Sequence, residues 1–199
     1  MKVYTKTGDG GTTSLYDGNK TSKKEIIFDV LGELDELSSR VGLLISQNIF
    51  DNFRNISDFL RSVQIKIQDI NTIIATPQNN SRKIPEIEEI DISRIEKLID
   101  ELDNQLPPLT KFILPGVTPQ DAQSHLCRTQ TRKVERYLWK LHYTTQQINV
   151  YRGKKSGILN LSEIHLAENI MKYINRLSDF FFVLARWLCM IQYKNEVFK

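Results

Sequence analysis

Two stretches of the chain carry side chains whose types and spacing suit the handling of phosphate. The first is MKVYTKTGDGGTTSLYDG, where Gly8, Gly10, Gly11 and Gly18 stand among threonine and serine hydroxyls. Glycines let successive backbone N–H groups point the same way, and Thr5, Thr7, Thr12, Thr13 and Ser14 add hydroxyls beside them, so the segment suits a phosphate cradle. The spacing is not Gly-x-x-x-x-Gly-Lys-Ser/Thr, and no clear strand feeds into a helix, which excludes a P-loop. Glycines are also costly to order, so a disordered or purely structural loop stays open as the other reading. The second stretch is SHLCRTQTRKVERYLWK. On a helix Arg128, Arg132 and Glu135 lie at i, i+4 and i+7 and share one narrow sector, with Arg136 close by. Arginine offers phosphate a planar set of donors and lysine a point charge. An exposed face laced with salt bridges has the same pattern. Further on, Asn175, Asp179 and Phe182 recur at four and three residues in an apolar stretch, where an amide and a carboxylate are costly unless partnered. Arg176 or Arg186 is the ordinary partner for Asp179.

Other chemistries find no support. There is no Ser-His-Asp arrangement, and His125, His142 and His165 have no carboxylate-rich metal pattern around them. Glu33 and Glu36 lack the Glu-x-x-His partners of a di-iron bundle. Cys127 and Cys189 are single cysteines without metal-ligand spacing. The net charge of +3 is spread among acidic residues rather than gathered in a stripe, which gives no nucleic-acid signal. No apolar run reaches transmembrane length and no signal-peptide pattern opens the chain, so no membrane association and a cytoplasmic location with reduced thiols are expected. The run YRGKK suits either anions or a solvent-exposed loop.

The elements that must position these groups are helices. At 199 residues the chain suits one well-buried domain. Apolar positions at three- and four-residue intervals predict a first helix from about Val30 to Ile49, with Glu33, Glu36 and Arg40 on its polar face. A second is predicted from Asn52 to Thr76, ended by Pro77 and the run PQNNSRK. A third runs from Pro85 to Asn104. A fourth starts at TPQD, where Thr118 caps, Pro119 suits the first helical position and Asp121 adds charge in the first turn, and it runs to about His142. A polar connection over 143–161 leads to a fifth helix, Ser162 to Tyr193, apolar around much of its circumference. Such a helix sits between other elements or against another subunit. The fold class is therefore all-α, a helical bundle.

The chain resembles the trimeric, propanediol-utilisation type of ATP:cob(I)alamin adenosyltransferase. The resemblance rests on YTKTGDGGTTSL, KTSK, GELDEL, FILPG, HLCRTQTRKVER and YINRLSDFFFVLAR, all in family order. It implies a five-helix up-down bundle, ferritin-like or adenosyltransferase-like, assembled as a homotrimer with sites between subunits. One domain over 1–199 would carry a nucleotide-binding segment over 1–24. It further implies that Thr5, Lys6, Thr7, Gly8, Thr13, Ser14 and Lys23 surround ATP, together with the stretch Arg132, Lys133, Val134, Glu135 and Arg136, and with Arg128 and Asn175. Arg128 and Arg132 would contact or orient the phosphates, and Asp35 would pair with Arg128 across subunits. Glu135 would help organise nucleotide and metal contacts, and Val134 would contribute shape. Phe112 and Phe182 would be the aromatic walls that meet cobalamin. Within KFILPG, Phe112 also reads as a core residue ahead of a turn.

By that resemblance the substrates are ATP and cob(I)alamin, with Mg2+ beside the phosphates. A cobalamin-reducing or adenosylcobalamin-dependent protein is an expected partner, and nucleic acid is not. The chain departs from the family pattern at Val117, where a second glycine is common and which reduces the loop's freedom, and at Lys133, where a second arginine is common. If these changes have cost catalysis, the alternative is a regulatory protein that binds nucleotide or corrinoid without turnover.

Overall fold

Each predicted apolar stripe becomes the buried face of a helix. The computed structural model describes residues 4, 6–15, 18, 20–76, 83–151 and 167–199, with the backbone alone over 146–151. Helix α1 spans Ile26–Ile45 and buries Ile27, Val30, Leu34, Leu37, Val41 and Leu44. It begins earlier than the periodicity from Val30 suggests, because Ile26 and Ile27 already lie against the core. It ends earlier too, and Asn48–Asn52 form a separate 3-10 turn that buries Phe50. Helix α2, Arg54–Ala75, buries Ile56, Leu60, Val63, Ile67, Ile70 and Ile74, the stripe read from sequence. The expected stop signal after it, 77–82, lies outside the described residues.

Helix α3 spans Glu89–Asp103. Pro85 is not in its first turn, since 83–88 has no helical structure. The start is set instead by Asp91, whose carboxylate accepts from the Glu88 N–H at 3.0 Å. Helix α4, Pro119–Tyr151, is longer than expected and absorbs the first half of the supposed polar connection. The hydroxyls of Thr144 and Thr145 donate back to the carbonyls of Lys140 and His142, so these polar residues are accommodated on the helix. The rest of YRGKK beyond Tyr151 and the expected start of the last helix, up to Leu166, lie outside the described residues. Helix α5 covers Glu168–Ile191 and is buried on nearly every side from Leu177 to Cys189.

Side-chain links fix the helix directions. Gln123 and Gln130 of α4 donate to the carbonyls of Arg40 and Glu33 of α1, so these two run antiparallel. Ser124 of α4 meets the Phe181 carbonyl of α5, and Glu135 meets Asn175, again antiparallel. Phe59 packs on Phe180 and Phe53 on Trp187, which sets α2 against α5. Contacts of Glu96 with Arg176 and of Gln105 with Trp187 make α3 parallel to α5. The result is an up-down-up-down-up five-helix bundle of the all-α class with α5 at its centre. Two short antiparallel pairs decorate it. Strands β1, Thr12–Ser14, and β2, Lys20–Ser22, pair just before α1. Strand β3, Ile113–Leu114, pairs with β4, Val197–Phe198.

Candidate functional site

The amino-terminal loop is ordered around glycine and lysine. Lys23 leaves the β2–α1 turn, and its ammonium donates to the Gly8 carbonyl at 2.8 Å. A Cβ at Gly8 would come 3.0 Å from that ammonium, so the close approach favours glycine. Gly11 has φ +78 and its carbonyl accepts from the Lys23 N–H. Lys6, exposed, holds a left-handed backbone at φ 59. Thr7 and Ser14 are exposed and Thr13 half-exposed, while Leu15 anchors the loop to the hydrophobic core. Thr5 lies outside the described residues. The strand before α1 that sequence did not reveal is β2, three residues long.

Helix α4 presents the arginine row. Arg128 is part-buried and its Nε donates to Nδ1 of His125 at 3.2 Å. Burial, then the neighbouring Arg132, push the Arg128 guanidinium below its usual range. His125 is buried, and burial followed by Arg128 lowers its pKa below 6.5 against the opposing pull of Asp121 and Glu196. Its ring therefore stays neutral at neutral pH and accepts from Arg128, while its edge packs on Phe182 with centroids 6.1 Å apart. Arg132 and Arg136 are exposed, and Arg136 donates to the Arg132 carbonyl. Among the described residues, no carboxylate forms an ion pair with Arg128 or Arg132. Asp35 is exposed on α1.

The rest of the row divides. Lys133 is committed to Glu33 at 2.7 Å, a hydrogen bond that raises its pKa. Glu33 is not on a free polar face as expected. Its side chain is only 15% exposed and also accepts from Gln130 at 2.7 Å. Val134 is fully buried in the core, so it shapes the packing behind the row rather than its surface. Glu135 accepts from Asn175, whose own oxygen accepts from Arg176, which in turn pairs with Glu96. Asp179 forms no ion pair with Arg186; desolvation raises its pKa, and Arg176 and Arg132 oppose this through their charge. A cavity of about 610 Å³ opens beside Glu135 and Asn175, walled by Trp139, His142 and Lys172.

Phe112 is 85% exposed, which overturns its reading as a core residue. It precedes β3 in a loop held at its far end by Asp121, a fully enclosed carboxylate that accepts from the N–H groups of Gly116 and Thr118. Thr118 accepts in turn from the Asp121 N–H, the capping that TPQD suggests. Gly116 sits at φ +107. Among the described residues positive φ occurs at Gly116 and not at Val117, so the turn needs one glycine there and tolerates valine next to it.

Sequence reasoning missed His125, Glu33 and Asp121 as parts of this site. His125 was legible in principle, three residues before Arg128 on the same helix. The place of Glu33 depends on how α1 packs on α4, which no local pattern reveals. Burial pushes the Cys127 and Cys189 thiols up to about 12, so neither is a thiolate nucleophile.

A family model described as cobalamin adenosyltransferase matches residues 3–188. The chain belongs to the cobalamin adenosyltransferase family. Corrinoid adenosyltransferase MMAB of Bos taurus is 34% identical over 193 residues, covering 95% of this chain and 72% of that protein. The corrinoid adenosyltransferase of Bacillus subtilis is 33% identical over 187 residues, covering 94% and 86%. Among solved structures, a variant PduO-type ATP:corrinoid adenosyltransferase from Lactobacillus reuteri, complexed with cobalamin and ATP, is similar with a TM-score of 0.82 and 28% identity. That match covers 100% of this chain and 96% of the other.

Proposed function

We propose that adenosyl transfer takes place where the amino-terminal loop, the arginine row and the Phe112 loop of neighbouring subunits meet. The chain is an ATP:cob(I)alamin adenosyltransferase, which makes adenosylcobalamin and triphosphate. Cob(I)alamin is the nucleophile: its cobalt electron pair attacks the ribose C5′, a cobalt–carbon bond forms, and the C5′–oxygen bond breaks with its pair leaving on triphosphate. No protein nucleophile is required, in keeping with the two buried thiols. The work left to the protein is alignment of C5′ with cobalt and electrostatic support of the leaving group.

The observation that carries this placement is the Arg128–Arg132 pair. Two cations one helical turn apart, one part-buried, form no ion pair among the described residues of their own chain, and only the charge of Asp179 reaches Arg132 from a distance. Such an arrangement favours an anion. His125 holds the Arg128 guanidinium without neutralising it, which leaves its charge for phosphate or for Asp35 of a neighbour. Lys23, Gly8 and the threonines supply a second cationic and hydroxyl-rich wall. Phe112 would lie beneath the corrin plane, exclude a lower axial ligand and favour four-coordinate cobalt. Phe182 would add a second aromatic wall.

Mg2+ belongs to this reading as well. Mg2+ takes one or two carboxylates and completes its shell with phosphate oxygens and water. Glu135 would hold it, and the bound ion would neutralise charge on the triphosphate. The homotrimer is supported by the exposed face of α4, where Arg128, Arg132, Trp139 and Tyr143 fall on one stripe. Arginine and aromatic residues are the types enriched where proteins meet.

The test is to mix the protein with MgATP and chemically reduced cobalamin and follow the corrin spectrum. Conversion to adenosylcobalamin is expected. Binding of ATP and cobalamin without conversion, under verified Co(I) conditions, would favour the regulatory alternative.

A further inference from the structure

We infer that Arg186 is a positioning residue for the Phe112 ring, acting through strand β4. Arg186 projects from α5 and is 4% exposed, a burial that a cation tolerates only when fully partnered. Its Nε donates to Glu196 at 2.9 Å, and one terminal nitrogen donates to the Pro107 carbonyl at 2.7 Å. Asp103 at the end of α3 lies 3.6 Å from the other terminal nitrogen. The same guanidinium therefore holds the start of the loop that carries Phe112 and the residue immediately before β4. Strand β4 then pairs Phe198 with Ile113 and Val197 with Leu114. Beyond it the Lys199 N–H reaches the carbonyl of Phe112 itself at 3.0 Å.

This ion pair and the ladder to β3 together seat β4. Val197 and Phe198 are both exposed, and a cavity of about 550 Å³ lies between Pro107, Arg186, Tyr193 and Phe198. The strand is not packed down on the core, so its placement depends on Arg186–Glu196 and on the ladder to β3. The far end of the loop is held independently by Asp121 through Gly116 and Thr118. Phe112 is thus an exposed ring on a backbone fixed at both sides. A fixed ring excludes an axial ligand from cobalt; a ring on a loose loop lets water or the corrinoid's own base return. Lysine at 186 would keep the charge but lack the fork that reaches Glu196 and Pro107 together.

The inference rests on the proposed place of Phe112 beneath the corrin, so the test includes that residue. The variants are Phe112→Ala, Glu196→Ala, Glu196→Gln and Lys199→Pro, the last removing the N–H that reaches the Phe112 carbonyl together with an exposed lysine side chain, for which Lys199→Ala is the control. For each, thermal unfolding, ATP KM and the four-coordinate cob(II)alamin signal with ATP bound are measured on one preparation. Glu196→Ala and Lys199→Pro should keep ATP KM within about twofold and lose most of the four-coordinate signal, whereas Glu196→Gln should recover part of it. If Phe112→Ala leaves the signal intact, the place of Phe112 is wrong and the inference falls with it. If Phe112→Ala abolishes the signal while folded Lys199→Pro and Glu196→Ala retain it, the positioning role of Arg186 is wrong and the place of Phe112 stands. Should Glu196→Ala not fold, folded Glu196→Gln decides for Arg186, because it takes the charge out of the pair, and a fully retained signal there rejects the role of Arg186, while Lys199→Pro tests strand β4.

Discussion

Arg132 is exposed and makes no ion pair among the described residues, so its removal leaves the fold intact and reports on ligand alone. Arg132→Ala should raise the KM for ATP by roughly 10- to 100-fold, the equivalent of a charge-assisted hydrogen bond of about 1.5–3 kcal/mol. Unchanged ATP saturation would remove Arg132 from the site. Lys133→Arg should change ATP use little, because Glu33 already occupies that side chain and arginine can keep the pair. His125 gives a pH signature. Its folded pKa lies below 6.5 through burial first and Arg128 second, so its contribution is complete above 6.5 and is lost as pH falls through the folded value. Stability measured by thermal unfolding should therefore fall with acidification in that window, and less so in His125→Asn, which keeps an acceptor near Nδ1 but does not titrate. An equal fall in both would assign the effect elsewhere. The charges of this row were legible in the sequence because helical spacing alone places 128, 132 and 135 together. The committed state of Lys133 and the exposure of Phe112 were not, since both depend on what faces them across the bundle.

At the scale of elements, the apolar stripes of α1, α2 and α3 could be read directly, because 3.6-residue periodicity survives every detail of packing. Their ends could not. Pro85 looked like a helix start, yet the Asp91–Glu88 contact sets it later, and α4 runs past a polar stretch that resembled a loop. The β3–β4 pair was invisible, since two-residue strands carry no pattern and their partners lie far apart in sequence. Asp121 is the element-scale feature most open to test. Asp121→Ala removes the carboxylate half of the α4 capping box and orphans the N–H groups of Gly116 and Thr118, while the Thr118 hydroxyl keeps the backbone N–H of residue 121, and should cost about 1–3 kcal/mol in urea unfolding. A change below about 0.5 kcal/mol would show that the loop finds other partners. In α5, Phe180 is fully buried against Phe59 and Phe181, and Phe180→Ala should cost about 3–5 kcal/mol by leaving a cavity at the centre of the bundle.

For the whole molecule, the proposed site takes residues from more than one chain. The arginine row and the exposed Trp139 and Tyr143 share one face of α4, and Asp35 looks outward from α1. Sedimentation equilibrium near physiological salt should report three chains per particle, and a fully active monomer would reject a site between subunits. The fold class was readable from five apolar helical patterns, but assembly was not, because an exposed aromatic has the same letters whether water or a neighbour covers it. The central claim is that the adenosyl carbon itself moves from ATP to cobalt. Its most direct test supplies ATP labelled with carbon-13 at C5′ to the protein and chemically reduced cobalamin, then reads the product by NMR. The labelled carbon should appear bonded to cobalt, with one triphosphate released for each adenosylcobalamin formed. Consumption of ATP with diphosphate or phosphate as the first product, or adenosylcobalamin lacking the label, would contradict it.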